Sequence, residues 1–167
     1  MRKLLVVDYD PAWPDLFRTE SALLDHTFGG LAIGIHHIGS TAVPNLPAKP
    51  IIDILVEVTD LAALDALSDD MIAIGYTPEG EFGISGRRYF HKGGDERTHQ
   101  IHAFASGDFN LKRHIAFRDY LRSKPTVARA YGELKKRNAI TCNNDREKYC
   151  AGKNDFIKHY EAVALGD

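Results

Sequence analysis

The segment from Ile51 to Val58 constrains the fold more than any other part of the sequence. Six of its eight residues are apolar, and most of those are β-branched. A short run of this kind, bounded by turn residues, is typical of a strand that is buried on both faces. The segment therefore predicts an internal strand of a sheet with helices packed against it.

One carboxylate, Asp53, lies inside this apolar run. An ionised carboxylate is costly to bury unless it has a charged, hydrogen-bonding or metal partner. A carboxylate in such a place favours a functional role, and a hydrogen-bonded structural pair is the alternative. Asp53 is therefore a candidate catalytic residue and metal ligand.

The preceding segment, residues 39–50 (GSTAVPNLPAKP), is predicted to be an irregular loop, because three prolines and a glycine interrupt any period. Gly39 permits close approach of the backbone to a ligand, and the Ser40 hydroxyl can hydrogen-bond a phosphate oxygen. Backbone N–H groups exposed after a strand also bind anions. A plain turn capped by Ser40 is the alternative. Together with Asp53, the loop predicts a phosphate site beside a metal ligand, which phosphoryl and nucleotidyl transfer both need.

The remaining segments predict a mixed sheet with flanking helices. Apolar spacing and turn residues predict a helix over 13–28, a strand over 31–38, one helix over 60–74, a β-rich stretch of about three strands that includes 87–92 and 97–104, and helices over 109–123, 126–140 and 145–164. This order indicates a mixed α/β (α+β) fold that ends in a helical tail.

Length and composition narrow the class of protein. The 167 residues are expected to form one domain over 1–167. The net charge of −2 argues against non-specific nucleic-acid binding, which depends on many contacts from Lys and Arg to phosphates. Two cysteines are too few for a disulfide framework, and no apolar run approaches the length of a membrane helix. Because the N-terminus turns charged too early for a signal peptide, we expect a cytoplasmic protein without membrane association.

Several motifs, spread over nearly the whole chain, together resemble the GrpB family. They are His37-Ile38-Gly39-Ser40-Thr41-Ala42-Val43-Pro44, Ala48-Lys49-Pro50-Ile51-Ile52-Asp53-Ile54, Arg97-Thr98-His99 with His102, Arg118-Asp119-Tyr120-Leu121, and Tyr149 with Lys153-Phe156-Ile157. The resemblance implies membership of the nucleotidyltransferase superfamily, in which a Gly-Ser pair binds nucleotide phosphates and a later Asp-x-Asp/Glu motif holds divalent metal.

This resemblance implies a nucleotide or another phosphate-containing small molecule bound at Gly39, Ser40 and Thr41, with Mg²⁺ or Mn²⁺ at Asp53, and transfer of a nucleotidyl group to an acceptor. Family members also occur fused to dephospho-coenzyme A kinase. The Gly-x-x-x-x-Gly-Lys-Ser/Thr motif of such a kinase does not occur in this sequence.

One position departs from the superfamily pattern. Twelve residues separate Ser40 from Asp53, as the pattern requires, but Leu55 stands where the second carboxylate is expected. Glu57 shares a strand face with Asp53 at roughly 13 Å, whereas two metal ions in a transferase site lie about 3.5–4 Å apart. The sequence therefore leaves two functions open: a metal-dependent nucleotidyltransferase, and a non-catalytic module that binds a nucleotide or a coenzyme A-like ligand and acts with a partner.

Histidines and basic residues supply the other candidates. His99 and His102 lie three positions apart on a predicted strand and so point to opposite faces, which counts against a histidine-rich metal hydrolase. His102 is expected beside Asp53, as a metal ligand or catalytic base, with a hydrogen-bonded core histidine as the alternative. Lys49 and Arg97 are candidate phosphate ligands, and a solvated lysine and a surface salt bridge are the alternatives.

Overall fold

The computed structural model describes residues 3–166, which contain a five-stranded mixed sheet and six α-helices. The strands are β1 (Ala32–Ile38), β2 (Ile52–Val58), β3 (Tyr76–Pro78), β4 (Arg88–Lys92) and β5 (His99–Ala105). The helices are α1 (Trp13–Phe28), α2 (Leu61–Asp65), α3 (Ser68–Ala73), α4 (Phe109–Ser123), α5 (Pro125–Thr141) and α6 (Arg146–Ala164). The predicted mixed α/β class is confirmed. None of the helices in residues 3–166 has the length and apolar character needed to cross a membrane.

The strand order β1-β2-β5-β4-β3 places β2 and β5 inside the sheet. β2 and β5 are parallel, and the other neighbouring strands are antiparallel. Ile38 pairs with Asp53, and Leu55 pairs with His102. Residues paired across neighbouring strands share a face of the sheet, as do alternate residues of one strand. Asp53 and His102 therefore reach the same face from adjacent strands.

The opposite face of the sheet carries the larger core. Ile54 and Val56 of β2 are fully buried there, together with Leu24 of α1 and Met71 of α3. α1 begins with a proline in its first turn, where the missing N–H costs nothing, and ends at Gly29 with a positive φ of 57°. The predicted helix over 13–28 is thus confirmed at both ends.

The three C-terminal helices cover the face that carries Asp53. Leu111 of α4 packs on Leu55 and Phe104 of the sheet. A further cluster joins the irregular loop to the helices through Val43, Leu46, Leu121, Ala128 and Tyr131. Loop 39–50 is therefore fixed between the sheet and the helical tail.

The predicted single helix over 60–74 is wrong, because the chain forms two short helices there. Asp60 caps α2 by accepting a hydrogen bond of 2.9 Å from the Ala62 amide. The helix breaks at Leu67, which has φ −93° and ψ 10°. The Ser68 hydroxyl donates to the Asp65 carbonyl at 2.8 Å, a local bond that competes with the helical pattern.

Glu20 is a buried carboxylate that joins α1 to the edge of the sheet. Its Oε1 accepts hydrogen bonds from Tyr76 Oη at 2.6 Å and from Lys92 Nζ at 2.9 Å. Burial by itself raises the pKa of Glu20, but the hydrogen bonds from Tyr76 and Lys92 and the positive charges of His99 and Lys92 outweigh it. The net effect is a pKa below the ordinary value of 4.5.

We predict that Glu20→Gln lowers the free energy of unfolding at neutral pH by about 1.5–3 kcal/mol, because Lys92 and Tyr76 lose a charged acceptor. Since the folded pKa is below the unfolded value, this stabilisation is complete above pH 4.5 and is lost as the pH falls through the folded pKa. Urea denaturation at pH 7 and at low pH measures both effects. Asp25→Asn, at an exposed position of the same helix, is the control and should change stability by less than about 0.5 kcal/mol. An equal loss for Glu20→Gln at both pH values would contradict the prediction.

Candidate functional site

A cavity of about 260 Å³ lies where β1 ends and β2 and β5 begin, on the face covered by the C-terminal helices. We call it the Asp53 cavity. Six of the residues predicted from the sequence line it: Gly39, Ser40, Thr41, Lys49, Asp53 and His102. Side chains from the sheet and the helical tail complete the wall, chiefly Gln100, His114, Lys135, Tyr149 and Lys153. The fold thus brings a loop, three strands and three helices to one point.

The Asp53 carboxylate packs directly on Gly39. A Cβ atom at Gly39 would lie 2.7 Å from Asp53 Oδ2, which is closer than any normal contact. Gly39 also has φ 73° and ψ −172°, a conformation that side-chain-bearing residues rarely adopt. The glycine is therefore required both by the backbone and by the carboxylate beside it.

His102 contacts the other carboxylate oxygen of Asp53. Its Nε2 lies 3.3 Å from Asp53 Oδ1, and its Nδ1 lies 3.3 Å from a guanidinium nitrogen of Arg87. Arg87 itself is fixed by hydrogen bonds to the carbonyls of Glu81 and Phe82. Because a guanidinium only donates, Nδ1 must accept, and the proton of the neutral ring is on Nε2, where it is donated to Asp53. In this arrangement His102 orients the carboxylate, and its Nε2 has no lone pair to offer a metal ion or a substrate proton.

The two hydroxyls after Gly39 have different partners. Ser40 lines the cavity, and its hydroxyl is hydrogen-bonded to Tyr131 behind it. The Thr41 hydroxyl lies 2.9 Å from Nε2 of His37, whose ring stacks on Phe17. Burial lowers the pKa of His37 to about 4, which keeps this histidine neutral at pH 7. Thr41 is therefore committed to a structural contact, and Ser40 is the better candidate for a phosphate ligand.

Three lysines from three different segments meet at the cavity, and we call them the lysine cluster: Lys49 of the loop, Lys135 of α5 and Lys153 of α6. Lys135 is 1% exposed, and its Nζ has no hydrogen-bond partner among residues 3–166. It lies 4.7 Å from the centre of the Tyr131 ring. The Nζ atoms of Lys49 and Lys153 lie 5.4 Å and 4.8 Å from the centre of the Tyr149 ring. Aromatic faces thus partly compensate the charges of the three amines when they are protonated.

The electrostatics of the cavity favour an anion. Burial lowers the pKa of each of the three lysines, that of Lys135 to well below its usual value. The charge of Lys153 lowers the pKa values of Lys49 and Lys135 further, while the Asp53 carboxylate opposes the shift in all three. Burial and mutual repulsion therefore disfavour the charged forms of the lysines, Asp53 offsets this only in part, and a bound anion would favour the charged forms.

The position of the expected second carboxylate belongs to the core. Leu55 is 0% exposed and packs against Phe104 and Leu111. Glu57 accepts a hydrogen bond of 2.8 Å from Ser106. Within residues 3–166, no three His, Cys, Asp or Glu side chains are grouped so that they could hold a metal ion. The residues do not fit a two-metal centre. Asp53 can hold a single Mg²⁺ or Mn²⁺ only together with phosphate oxygens and water, which is the way proteins usually bind Mg²⁺.

Arg97 is the one predicted phosphate ligand that does not line the Asp53 cavity. Its Nη1 donates a hydrogen bond of 3.1 Å to Tyr89 Oη. Arg97 instead borders a neighbouring groove of about 450 Å³ with Lys3 and Arg146, and Lys49 lies in the wall between groove and cavity. The predicted separation of the two strand histidines is observed, because Nε2 of His99 lies 3.7 Å from Glu20 on the other face.

Two cavity residues escaped the sequence analysis. Lys135 follows Tyr131 by one helical turn and Ala128 by two, so the helical period itself places it in the buried stripe of α5. A lysine in the buried stripe of a helix indicates a candidate functional residue, so the sequence did contain evidence for Lys135. His114 of α4 lies with its ring 5.8 Å from that of His102, and burial lowers its pKa to about 3. No local pattern indicates this contact, since it depends on how α4 packs on β5.

We predict that Gly39→Ala lowers the free energy of unfolding by about 1–3 kcal/mol, because alanine is strained in this conformation and its Cβ collides with Asp53. Chemical denaturation measures the loss. Gly30→Ala is the matched control, because Gly30 has no atom within 4 Å of an added Cβ and no positive φ. Equal stability of the two variants would show that the contact between Gly39 and Asp53 is not a constraint.

Comparison with known proteins assigns the chain to a family. The sequence model described as "GrpB protein" matches residues 3–162. The UPF0157 protein YqkA of Bacillus subtilis is 46% identical over 163 residues, which cover 98% of this chain and 48% of YqkA, so the chain spans about half of that relative. A dephospho-CoA kinase of Mycobacterium leprae is 28% identical over 180 residues, which cover 91% of this chain and 44% of the kinase.

Solved structures agree with this assignment. The crystal structure of the conserved protein GrpB from Enterococcus faecalis has a TM-score of 0.93 and 44% identity, and the match covers 97% of this chain and 98% of that one. The structure of Cid1 in complex with its short product ApU has a TM-score of 0.52 at 12% identity, and covers 82% of this chain and 45% of Cid1. The second likeness concerns the fold alone. The chain belongs to the GrpB family and has a nucleotidyltransferase-like fold.

Proposed function

We propose that this chain binds a nucleotide, or another small molecule with a chain of phosphates, in the Asp53 cavity. The main observation behind the proposal is that the lysine cluster lines the Asp53 cavity together with Gly39, Ser40 and a single carboxylate. The buried amine of Lys135, which lacks an acceptor among residues 3–166, is costly to charge. Phosphate oxygens are the acceptors that ammonium groups and a Gly-Ser turn commonly bind.

Each residue has a role in this proposal. Ser40 and the backbone around Gly39 contact phosphate oxygens, and Lys49 neutralises them. Asp53 holds one Mg²⁺ or Mn²⁺, which when bound would neutralise phosphate charge from the other side. His102 and Arg87 keep the Asp53 carboxylate in place.

We predict that nucleoside triphosphates with Mg²⁺ or Mn²⁺ raise the thermal midpoint of the wild type by about 5–10 °C at 100 times Kd. Asp53→Asn should lose the part of this shift that depends on metal, because an amide is a poor ligand for a hard cation. Thermal-shift titration over several nucleotides, with metal and with EDTA, measures both. Glu57→Gln is the control, since it removes a carboxylate of the same strand outside the cavity lining.

Two results would count against this proposal. If no nucleotide or other phosphate compound shifts the wild type, the cavity is not a phosphate site. If Asp53→Asn and Glu57→Gln respond equally to metal and nucleotide, Asp53 does not hold the metal ion.

A second candidate function is nucleotidyl transfer, favoured by the fold shared with Cid1, whose structure contains its product ApU. An acceptor oxygen would attack the α-phosphorus, the bond to the β-phosphate oxygen would break, and pyrophosphate would leave. Leu55 counts against the two-metal form of this reaction. The relative named dephospho-CoA kinase favours instead a non-catalytic module for a coenzyme A-like ligand, which acts with a partner.

We expect pyrophosphate release from nucleoside triphosphates to separate these functions. The assay combines wild type, labelled triphosphate, metal ion and a panel of hydroxyl-bearing acceptors, with coenzyme A and dephospho-coenzyme A tested as ligands in parallel. Release that is abolished in Asp53→Asn and retained in Glu57→Gln would establish transfer. Tight binding of a nucleotide or a coenzyme A compound without release would establish the binding module.

A further inference from the structure

The lysine cluster lines a cavity whose described residues include no second carboxylate to hold a metal ion. Transferases with two metal ions use both to neutralise the phosphates of the substrate and the leaving group. Here Leu55 is buried in the core, and Asp53 is the only carboxylate among the described residues that line the cavity. The ligand's charge must therefore be balanced by groups other than a second metal ion.

Lys135 is a buried donor for which a ligand could supply the missing hydrogen-bond acceptor. Its side chain is 1% exposed, so its amine cannot reach solvent as surface lysines do. Its Nζ lacks a hydrogen-bond partner within residues 3–166, although three donors are available when it is protonated. The amine lies in the cavity wall, and its nearest compensating feature is the face of Tyr131 at 4.7 Å. The contact to a ring face alone does not satisfy a buried ammonium group.

The arrangement also defines the class of ligand. When all three lysines are protonated, they exceed the charge of Asp53 by two positive charges. Lys49, Lys135 and Lys153 come from a loop and two helices, so they surround the cavity from different sides. A single phosphate offers its charge at one point, whereas a chain of phosphates presents charge along its length to several amines. A compact cavity of about 260 Å³ suits such a chain.

We propose that Lys49, Lys135 and Lys153 supply to a polyphosphate chain the neutralising charge that a second metal ion supplies in two-metal transferases. The proposal rests on the proposed function of phosphate binding, and it assigns Lys135 as the central ligand-binding residue. Binding of the phosphate chain then tolerates removal of divalent metal but depends on the lysines.

Calorimetric titration with inorganic tripolyphosphate in EDTA tests the proposal. Wild type should bind it without metal, and at least about 100-fold more tightly than orthophosphate. Lys135→Met should weaken binding at least about tenfold, since it removes the central charge and donor. Lys136→Met is the matched control, because Lys136 is the next residue of α5, is half-exposed and pairs with Asp8 at 2.6 Å outside the cavity.

The fold of the variant is checked by its thermal midpoint. Methionine has a similar length and no charge, so Lys135→Met should leave the midpoint unchanged or raised. A lowered midpoint with unchanged tripolyphosphate affinity would show that Lys135 is structural, and would overturn the proposal. So would tripolyphosphate binding that requires Mg²⁺, or orthophosphate binding of equal strength.

These outcomes are distinct from failure of the proposed function. If the wild type and Lys135→Met bind a nucleoside triphosphate with Mg²⁺ equally well, the proposed function stands, and the proposal that the lysines replace a second metal ion is wrong. If neither nucleotide nor tripolyphosphate binds under any condition, both proposals are wrong.

Discussion

The packing of the Asp53 carboxylate against Gly39 is the constraint on which the site depends. A carboxylate in the apolar strand β2 needs polar partners, and the sheet supplies one of them as His102 from the parallel neighbour β5. The other oxygen lies against a residue without a side chain, at a backbone conformation suited to glycine. The end of β1 and the start of β2 are thereby fixed to each other, and the cavity opens at their junction.

The helical tail gives this junction its charge. α5 and α6 pack on the irregular loop through Leu46 and Tyr131 and bring Lys135 and Lys153 over the carboxylate. The helices thus have two effects, since they bury the loop and they bring two amines to the cavity, of which that of Lys135 is shielded from water. Low lysine pKa values follow from that enclosure. In our proposal, a bound anion stabilises the charged forms of these amines, which share the cavity with one carboxylate.

Leu55 stands where the nucleotidyltransferase pattern predicts a second carboxylate. The fold is nucleotidyltransferase-like, and Gly39-Ser40 and Asp53 have the spacing of that pattern. The side chain two residues later contacts Leu111 of α4 and contributes to a core. A carboxylate there would lie in that apolar core, where its charge would be costly to bury. In our proposal, the lysine cluster supplies the positive charge instead, from the loop as well as from α5 and α6.

The sequence by itself determined the sheet and the core of the site. The apolar run of β2 and the prolines and glycine of residues 39–50 located Gly39, Ser40 and Asp53. Strand composition and turn chemistry are local properties, so they can be predicted from the sequence. Alternation also separated His99 from His102, although it did not show that His102 contacts Asp53 while its other ring nitrogen contacts Arg87. The break at Leu67 was missed, because a local hydrogen bond of Ser68 overrode the apolar period.

Only the tertiary structure decided what surrounds Asp53. Arg97 and Lys49 were both candidate phosphate ligands, yet Lys49 lines the cavity and Arg97 borders the neighbouring groove. Lys135 lies far from Asp53 along the chain, and its burial depends on where α5 crosses the loop. Contacts of this kind are set by the packing of apolar faces between distant segments, so the sequence determined which groups could bind a phosphate and the fold determined which of them meet.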